Sequence, residues 1–147
     1  MTRRQFLLVA SIVPGLFGSV MMLVPQVMLE NSLTQPADQA TSTVTRWVGF
    51  AVFAVAWMTF FARHDDGSPA LRAVLTGNVV FHVLGLVMDV YGYAIGVMSV
   101  PGLLSGVVPH ALLTSGCLFY LSRMPANAPV VTRASAGFIE SPNSPRS

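Results

Sequence analysis

Four long apolar runs, separated by short polar stretches, dominate the pattern of hydrophobic and polar positions along the chain. They cover about residues 6–29, 44–62, 71–98 and 103–121. Each run approaches or exceeds the roughly 20 residues that a helix needs to cross the hydrocarbon core of a bilayer. The short connections between the second and third runs, and between the third and fourth, favour antiparallel neighbouring helices. The pattern therefore predicts an all-α, polytopic membrane protein, built as an up-and-down bundle of four transmembrane helices.

The composition supports the same class and divides the chain into a domain and a tail. Only 10% of the residues are charged, whereas about 25% are charged in a typical soluble domain. After the fourth run the chain becomes rich in Pro, Ser, Ala and Asn, a composition that cannot build a core. We therefore expect a single transmembrane domain over residues 1–123 and a disordered cytoplasmic tail over residues 124–147.

The basic residues predict the orientation in the membrane. All eight are arginines, and placing the N-terminus inside puts every one except Arg46 on the cytoplasmic side. The positive-inside rule favours this arrangement, with both termini cytoplasmic. The net charge of +2 is too small and too dispersed to indicate a nucleic-acid partner.

The third predicted helix carries an unusual polar stripe. At about 100° per residue one face of this helix collects six polar or small residues, which are Asn78, His82, Gly85, Asp89, Tyr93 and Gly96. An aspartate inside hydrocarbon is costly. The stripe must therefore face other protein or a water-filled cavity.

The fourth predicted helix offers a partner for this stripe. His110, Thr114 and Cys117 follow one another on one face. Counting back from the connection between the two helices places Asp89 and His110 within about one helical turn of the same depth, with His82 deeper. The candidate ligand-binding or proton-relay residues are Asp89, His110, His82, Asn78, Tyr93 and Thr114. The alternative is a hydrogen bond between helices that only fixes their packing.

Two pairs of glycines are candidates for helix packing. Gly92 with Gly96, and Gly102 with Gly106, have the spacing of small residues that lets membrane helices approach closely. We expect these pairs to bring together the facing ends of the third and fourth helices.

Sharper chemistries have less support in the sequence. No catalytic residue, nucleotide-binding loop or metal site is predicted, which favours a role other than that of an enzyme. His82 and His110 are candidates for a bis-histidine haem, but their estimated depths differ by roughly one to two helical turns. A closed zinc site needs four ligands, and His82, Asp89, His110 and Cys117 are too spread in depth to supply them.

A few residues carry a family resemblance at the level of topology. They are Arg46, Trp47, Val48, Gly49 and Phe50 at the start of the second helix, with Trp57, Arg72, Gly77 and Gly85 further on. Over about residues 6–122 this pattern resembles small bacterial four-helix DoxX-like membrane proteins. The resemblance implies a bundle in a bacterial inner membrane and, for some relatives, association with quinone-linked redox systems as a membrane subunit.

Two classes of function follow from these observations. The first is a non-catalytic accessory or structural subunit, which lies in the lipid bilayer and contacts a protein partner or a second copy through its transmembrane faces. The second is a ligand-handling or redox-associated bundle that binds a quinone, lipid or other small amphiphile between the third and fourth helices. A cavity beside the stripe would favour the second class. A packed stripe, with Asp89 and His110 satisfying each other, would favour the first.

Overall fold

A computed structural model of the chain describes residues 1–124. Within this range the chain is all-helical, with an isolated antiparallel bridge between Leu33 and Met98. The helices are α1 (Arg3–Leu23), α2 (Pro25–Ser32), α3 (Gln39–Ala62), α4 (Pro69–Ala94) and α5 (Val100–Ser122). Of the predicted tail, residues 125–147 lie outside the described residues.

Four of the five helices can cross a membrane. By length and composition, α1, α3, α4 and α5 all qualify. The prediction of an all-helical protein with four helices long and apolar enough to span a membrane is therefore confirmed. Between 17% and 33% of the most apolar part of each span is buried inside the protein. The large apolar side chains that remain exposed suit a lipid environment.

The first apolar run is broken, contrary to the single helix predicted over residues 6–29. Here α1 ends at Leu23, Val24 leaves the helical region with φ −136° and ψ 58°, and Pro25 begins α2. Proline has no N–H to continue a helix, and it disfavours helical backbone in the residue before it. Pro14, in contrast, lies inside α1.

The other helices begin earlier than predicted because each has a capping side chain in front of it. Asp38 accepts a hydrogen bond from the Thr41 N–H, so α3 starts upstream of residue 44. Ser68 and Ser99 cap α4 and α5 in the same way, upstream of residues 71 and 103. Such caps satisfy N–H groups that have no partner within the helix.

The end of α4 was predicted too late, at about residue 98. The helix stops at Ala94, and Gly96 follows it with φ +75°. A left-handed glycine after the last turn is a common way to end a helix. The amides of Val97 and Met98 both donate to the Gly92 carbonyl at 3.0 Å, which turns the chain towards α5.

The helices associate mainly as two pairs, α1 with α3 and α4 with α5. The two backbones of the first pair approach closely at a pair of glycines. A Cβ at Gly18 would lie 2.9 Å from the Gly49 carbonyl oxygen, and a Cβ at Gly49 would lie 2.9 Å from the Gly18 oxygen. In contrast, α3 and α4 share few contacts despite the short turn between them.

Hydrogen bonds show which segments share an end of the bundle. The Tyr120 hydroxyl donates to the Met1 carbonyl at 2.9 Å, and the Arg3 guanidinium donates to the Asp65 carbonyl at 2.6 Å. We call this the Met1 end. At the opposite end the Ser99 N–H donates to the Ser32 carbonyl at 2.8 Å, and we call it the Ser99 end.

A buried apolar cluster, here called the leucine cluster, joins α1, α4 and α5 near the Met1 end. Its members are Phe6, Leu7, Ala10, Leu71, Leu75, Leu113 and Cys117. Leu7, Leu71 and Leu75 are completely buried. The cluster links the α1–α3 pair to the α4–α5 pair.

The turn between α3 and α4 is held by the Asp65 carboxylate. It accepts hydrogen bonds from the Ser68 hydroxyl, the Ser68 N–H and the Gly67 N–H. The Ser68 hydroxyl has the largest effect in lowering the pKa of Asp65, followed by the two amides, and the Arg3 charge adds to them. A lowered pKa means that the ionised form is favoured in the folded protein.

We expect the stability of this turn to depend on pH. A carboxyl whose pKa is lowered by folding contributes fully above its unfolded value of about 3.9, and the contribution is lost as the pH falls through the folded value. Protection of the Ser68 amide from hydrogen exchange, corrected for the intrinsic rate, should fall below about pH 4. Asp65→Asn should abolish this dependence, whereas Asp66→Asn should retain it. An unchanged profile in Asp65→Asn would contradict the assignment.

Candidate functional site

The middle of the polar stripe of α4 faces α5, and its most buried member is a histidine. His82 is 2% exposed. Its Nδ1 lies 2.8 Å from the Nδ1 of His110 on α5. One of these nitrogens must carry the proton and the other must accept it, because a neutral imidazole has one donor and one acceptor nitrogen. The two histidines therefore hold complementary tautomers.

Asp89 lies on the other side of His110. Its Oδ2 is 3.9 Å from the His110 Nε2, which is an ion-pair distance if the imidazole is protonated but too long for a hydrogen bond. His110 thus stands between His82 and Asp89, and we call these three residues the His-His-Asp chain. The sequence placed Asp89 next to His110, whereas the direct hydrogen-bond partner of His110 is His82.

Two glycines provide the space that this arrangement needs. A Cβ at Gly85 on α4 would lie 2.6 Å from Cε1 of His110, and a Cβ at Gly106 on α5 would lie 2.6 Å from Cγ of Asp89. Each helix therefore has a glycine where the other inserts a polar side chain. Larger residues at these positions would force the side chains of the chain to move.

The four glycines proposed for helix packing have different surroundings. Gly106 contacts the Asp89 carboxyl, while a Cβ at Gly102 would lie 2.8 Å from Cα of Ser32 in α2. Gly92 has only ordinary contact with Met98, and Gly96 lies beyond the end of α4 with nothing within 4 Å of its Cβ position. Where α4 and α5 approach closely, a side chain of one helix therefore packs against a glycine of the other, as Asp89 does against Gly106.

Asn78 is part of the stripe but connects α4 to a different helix. Its Nδ2 donates to Thr59 Oγ1 at 3.0 Å and to the Val74 carbonyl at 2.9 Å. The Thr59 hydroxyl in turn donates to the Val55 carbonyl at 2.8 Å, and Thr59 is completely buried. Sequence reasoning missed Thr59, although a hydroxyl inside an apolar run is a signal for such a partner.

The remaining candidates, Tyr93 and Thr114, lie outside the His-His-Asp chain. Tyr93 is 45% exposed, one turn beyond Asp89. The Thr114 hydroxyl on α5 is buried and, within residues 1–124, has no hydrogen-bond partner. Phe81 covers the imidazoles, with ring centroids 5.3 Å from His82 and 6.4 Å from His110.

Within the His-His-Asp chain, two atoms also lack hydrogen-bond partners among the described residues. They are Nε2 of His82 and Oδ2 of Asp89, both buried. Leaving a buried polar atom unsatisfied costs about 1–3 kcal/mol, so each of these atoms indicates a need for water, a proton or a ligand group. His82 and Asp89, at the two ends of the His-His-Asp chain, are therefore the positions at which a further group can bind.

The geometry does not suit a metal or a haem between the histidines. No group of three or more His, Cys, Asp or Glu side chains in the described part of the chain could hold a metal ion. The 2.8 Å contact between the two Nδ1 atoms leaves no room for an iron between these nitrogens. The arrangement is suited to moving or sharing a proton, because each imidazole can accept at one nitrogen and donate from the other.

A second feature, absent from the sequence predictions, is an apolar groove between α1 and α3. It has a volume of about 260 Å³. Small residues of α1 line one side and aromatic residues of α3 line the other, including Ser11, Gly15, Ser19, Phe53, Trp57 and Phe60. We call it the α1–α3 groove. Asp89 and His110 are not among its lining residues.

These features define the class of the molecule, which is an all-helical, multi-pass membrane protein with a polar chain between two of its spans. Comparison of the sequence and structure with protein-family models, curated proteins and solved structures finds no match in any of the three. The DoxX-like resemblance therefore stays a prediction.

Proposed function

We propose that this protein is a non-catalytic subunit of a larger membrane complex, and that it binds its partner through the α1–α3 face. The observation that carries the proposal is the α1–α3 groove, which lies on the outer surface of a helix pair that already has its own close contact at Gly18 and Gly49. Ser11, Gly15 and Ser19 recur every four residues along one wall of the groove. Small residues at this spacing are typical of helix–helix interfaces in membranes.

The occupant that fits this groove is an apolar transmembrane helix of another subunit. Such a helix could insert large side chains over Gly15 and Ser19 of α1 and against Phe53 of α3. The aromatic wall is already ordered by mutual stacking, with the Phe53 and Trp57 centroids 6.1 Å apart. Preordered aromatic side chains lose little conformational freedom on binding.

The proposal includes a location and an orientation. We place the protein in a bacterial inner membrane as an up-and-down bundle with both termini cytoplasmic. The arginine distribution supports this orientation. Hydrogen bonds that tie Met1 to Tyr120 and Arg72 to Met124 support a common side for both ends of the described chain. The DoxX-like resemblance is the support for a bacterial membrane.

The proposal is tested by native mass spectrometry of the full chain, purified from its own membrane in mild detergent. We expect a defined assembly of fixed stoichiometry. Leu16→Ser, at the edge of the groove, should reduce the assembled fraction at least several-fold. Leu112→Ser on α5 is the matched control, because the two leucines are 66% and 67% exposed. A monomer, or an equal response of the two variants, would contradict this interface.

A second candidate function is binding of a quinone, lipid or other small amphiphile at the α4–α5 seam. The observation in its favour is the unsatisfied Asp89 Oδ2, which could accept a hydrogen bond from a ligand hydroxyl. The same preparation tests it through the small molecules that accompany the protein. A stoichiometric ligand that disappears in Asp89→Asn would support this role, and its absence from the wild type would remove it.

A further inference from the structure

We infer that His82, His110 and Asp89 form a one-sided proton relay, which exchanges protons between the Ser99 end of the bundle and an internal site at His82. The inference rests on the geometry of the His-His-Asp chain and does not depend on the partner proposed above. It assigns a function to three side chains that a purely structural subunit would not need.

The positions of the three residues give the relay its direction. His82 lies near the middle of α4, whereas Asp89 lies within about one and a half turns of its end at Ala94. The seven residues from His82 to Asp89 correspond to about 10 Å along the helix axis. The relay therefore runs from mid-membrane depth towards the Ser99 end.

Packed side chains separate the His-His-Asp chain from the Met1 end of the bundle. Beyond Asn78, which is held by Thr59, the completely buried Leu71 and Leu75 of the leucine cluster fill the interior towards the Met1 end. In contrast, the side chains of His110 and Asp89, which lie nearer the Ser99 end than the leucine cluster, retain 23% and 15% exposure. In this scheme protons enter from the Ser99 end and do not pass through the bundle.

A balanced proton transfer can be written through these contacts. The carboxylic acid of Asp89 gives its proton to Nε2 of His110. His110 then releases the proton on its Nδ1 to Nδ1 of His82, across the 2.8 Å contact. One proton leaves Asp89 and one arrives on His82. Asp89 becomes a carboxylate, His82 becomes an imidazolium, and His110 stays neutral in its other tautomer.

The two buried atoms without hydrogen-bond partners, one on Asp89 and one on His82, fit this scheme. Oδ2 of Asp89, buried and 3.9 Å from Nε2 of His110, is the oxygen from which the proton passes to the imidazole. Nε2 of His82, also without a partner, is the atom that would face a group accepting the proton. The 3.9 Å step between Asp89 and His110 is the longest in the chain, so a small side-chain movement there would control transfer.

Other titratable groups on the packed helices do not face the chain. Cys117 of α5 belongs to the leucine cluster, and Tyr91 and Tyr93 of α4 are 56% and 45% exposed. Arg46 of α3 donates to the Met22 carbonyl at the end of α1. The remaining groups lie near the ends of their helices: Arg3 and Arg4 of α1, Glu30 of α2, Arg72 of α4 and Tyr120 of α5.

The test uses proteoliposomes of the full chain, sorted by whether an affinity tag on Met1 is accessible from outside. Infrared difference spectra are recorded while only the external pH is changed. When the Ser99 end faces out, we expect an immediate carboxyl band that Asp89→Asn removes and the matched control Glu30→Gln keeps. When the Met1 end faces out, the band should appear only as the internal pH follows.

A second readout follows the proton to His82. Imidazole bands from His82 and His110 should respond with the Asp89 band in the wild type. His110→Gln should uncouple His82 from the external pH while Asp89 still responds. An equal response from both sides would show a transmembrane path and overturn the one-sided relay. A wild type whose bands do not respond to pH, or do not change in Asp89→Asn, would overturn the relay itself. Neither result would affect the partner assembly measured by mass spectrometry.

Discussion

Gly49→Ala is expected to destabilise the protein by forcing α1 and α3 apart. The new Cβ would lie 2.8 Å from Cβ of Met21 and 2.9 Å from the Gly18 carbonyl oxygen. The oxygen belongs to the backbone and cannot rotate away, so the two helices must separate. Overpacking of this kind costs about 1–3 kcal/mol. The loss would be measured as a lower free energy of unfolding in nanodiscs or detergent.

Gly77→Ala is the matched control, because it adds the same methyl group to a helix. Nothing lies within 4 Å of the Cβ position at Gly77. Alanine is also a better helix former than glycine, by about 1 kcal/mol in water. We therefore expect Gly77→Ala to leave the free energy of unfolding unchanged or slightly higher. Equal losses in the two variants would mean that helix pairing at Gly49 is not the cause.

Gly85→Ala is expected to disrupt the His-His-Asp chain while leaving the fold intact. Its Cβ would occupy the space of the His110 ring, 2.6 Å from Cε1. A ring can rotate where a backbone cannot, so the cost in stability should be smaller than for Gly49→Ala. The displaced ring can no longer hold its Nδ1 against that of His82. The expected result is complete loss of the Nδ1–Nδ1 hydrogen bond, measured by NMR of ¹⁵N-labelled histidine.

The control for this variant lies two turns further along the same helix. A Cβ at Gly92 would make only ordinary contact, 3.7 Å from Cβ of Met98. Gly92→Ala should therefore keep the imidazole contact. If Gly85→Ala also kept it, His110 would not be seated on Gly85.

The apolar runs were sufficient to predict the number and type of spans, because membrane length and hydropathy act over many residues at once. The helix boundaries were harder to predict. They depend on single residues such as Pro25, Asp38 and Gly96, whose effects are local and must be weighed against the surrounding apolar pattern. The long first run was therefore predicted as one helix where proline separates α1 from α2.

The sequence brought the three residues of the His-His-Asp chain into one neighbourhood, but it did not predict the contacts among them. Helical periodicity placed His82 and Asp89 on one face, and depth counting brought His110 near Asp89. Neither argument could show that His110 turns its Nδ1 to His82, because that depends on the rotation of α5 and on the space at Gly85. Thr59 was missed because Asn78 reaches across to α3, a contact that depends on how the two helix pairs meet.

The ¹⁵N spectrum of the histidines in nanodiscs tests the His-His-Asp chain most directly, since the protein contains only three histidines. His64, in the turn after α3, serves as the internal reference. We predict a scalar coupling between the Nδ1 nuclei of His82 and His110, with one of them protonated, and no coupling for His64. Two uncoupled imidazoles at positions 82 and 110 would contradict the His-His-Asp chain and the relay inferred from it.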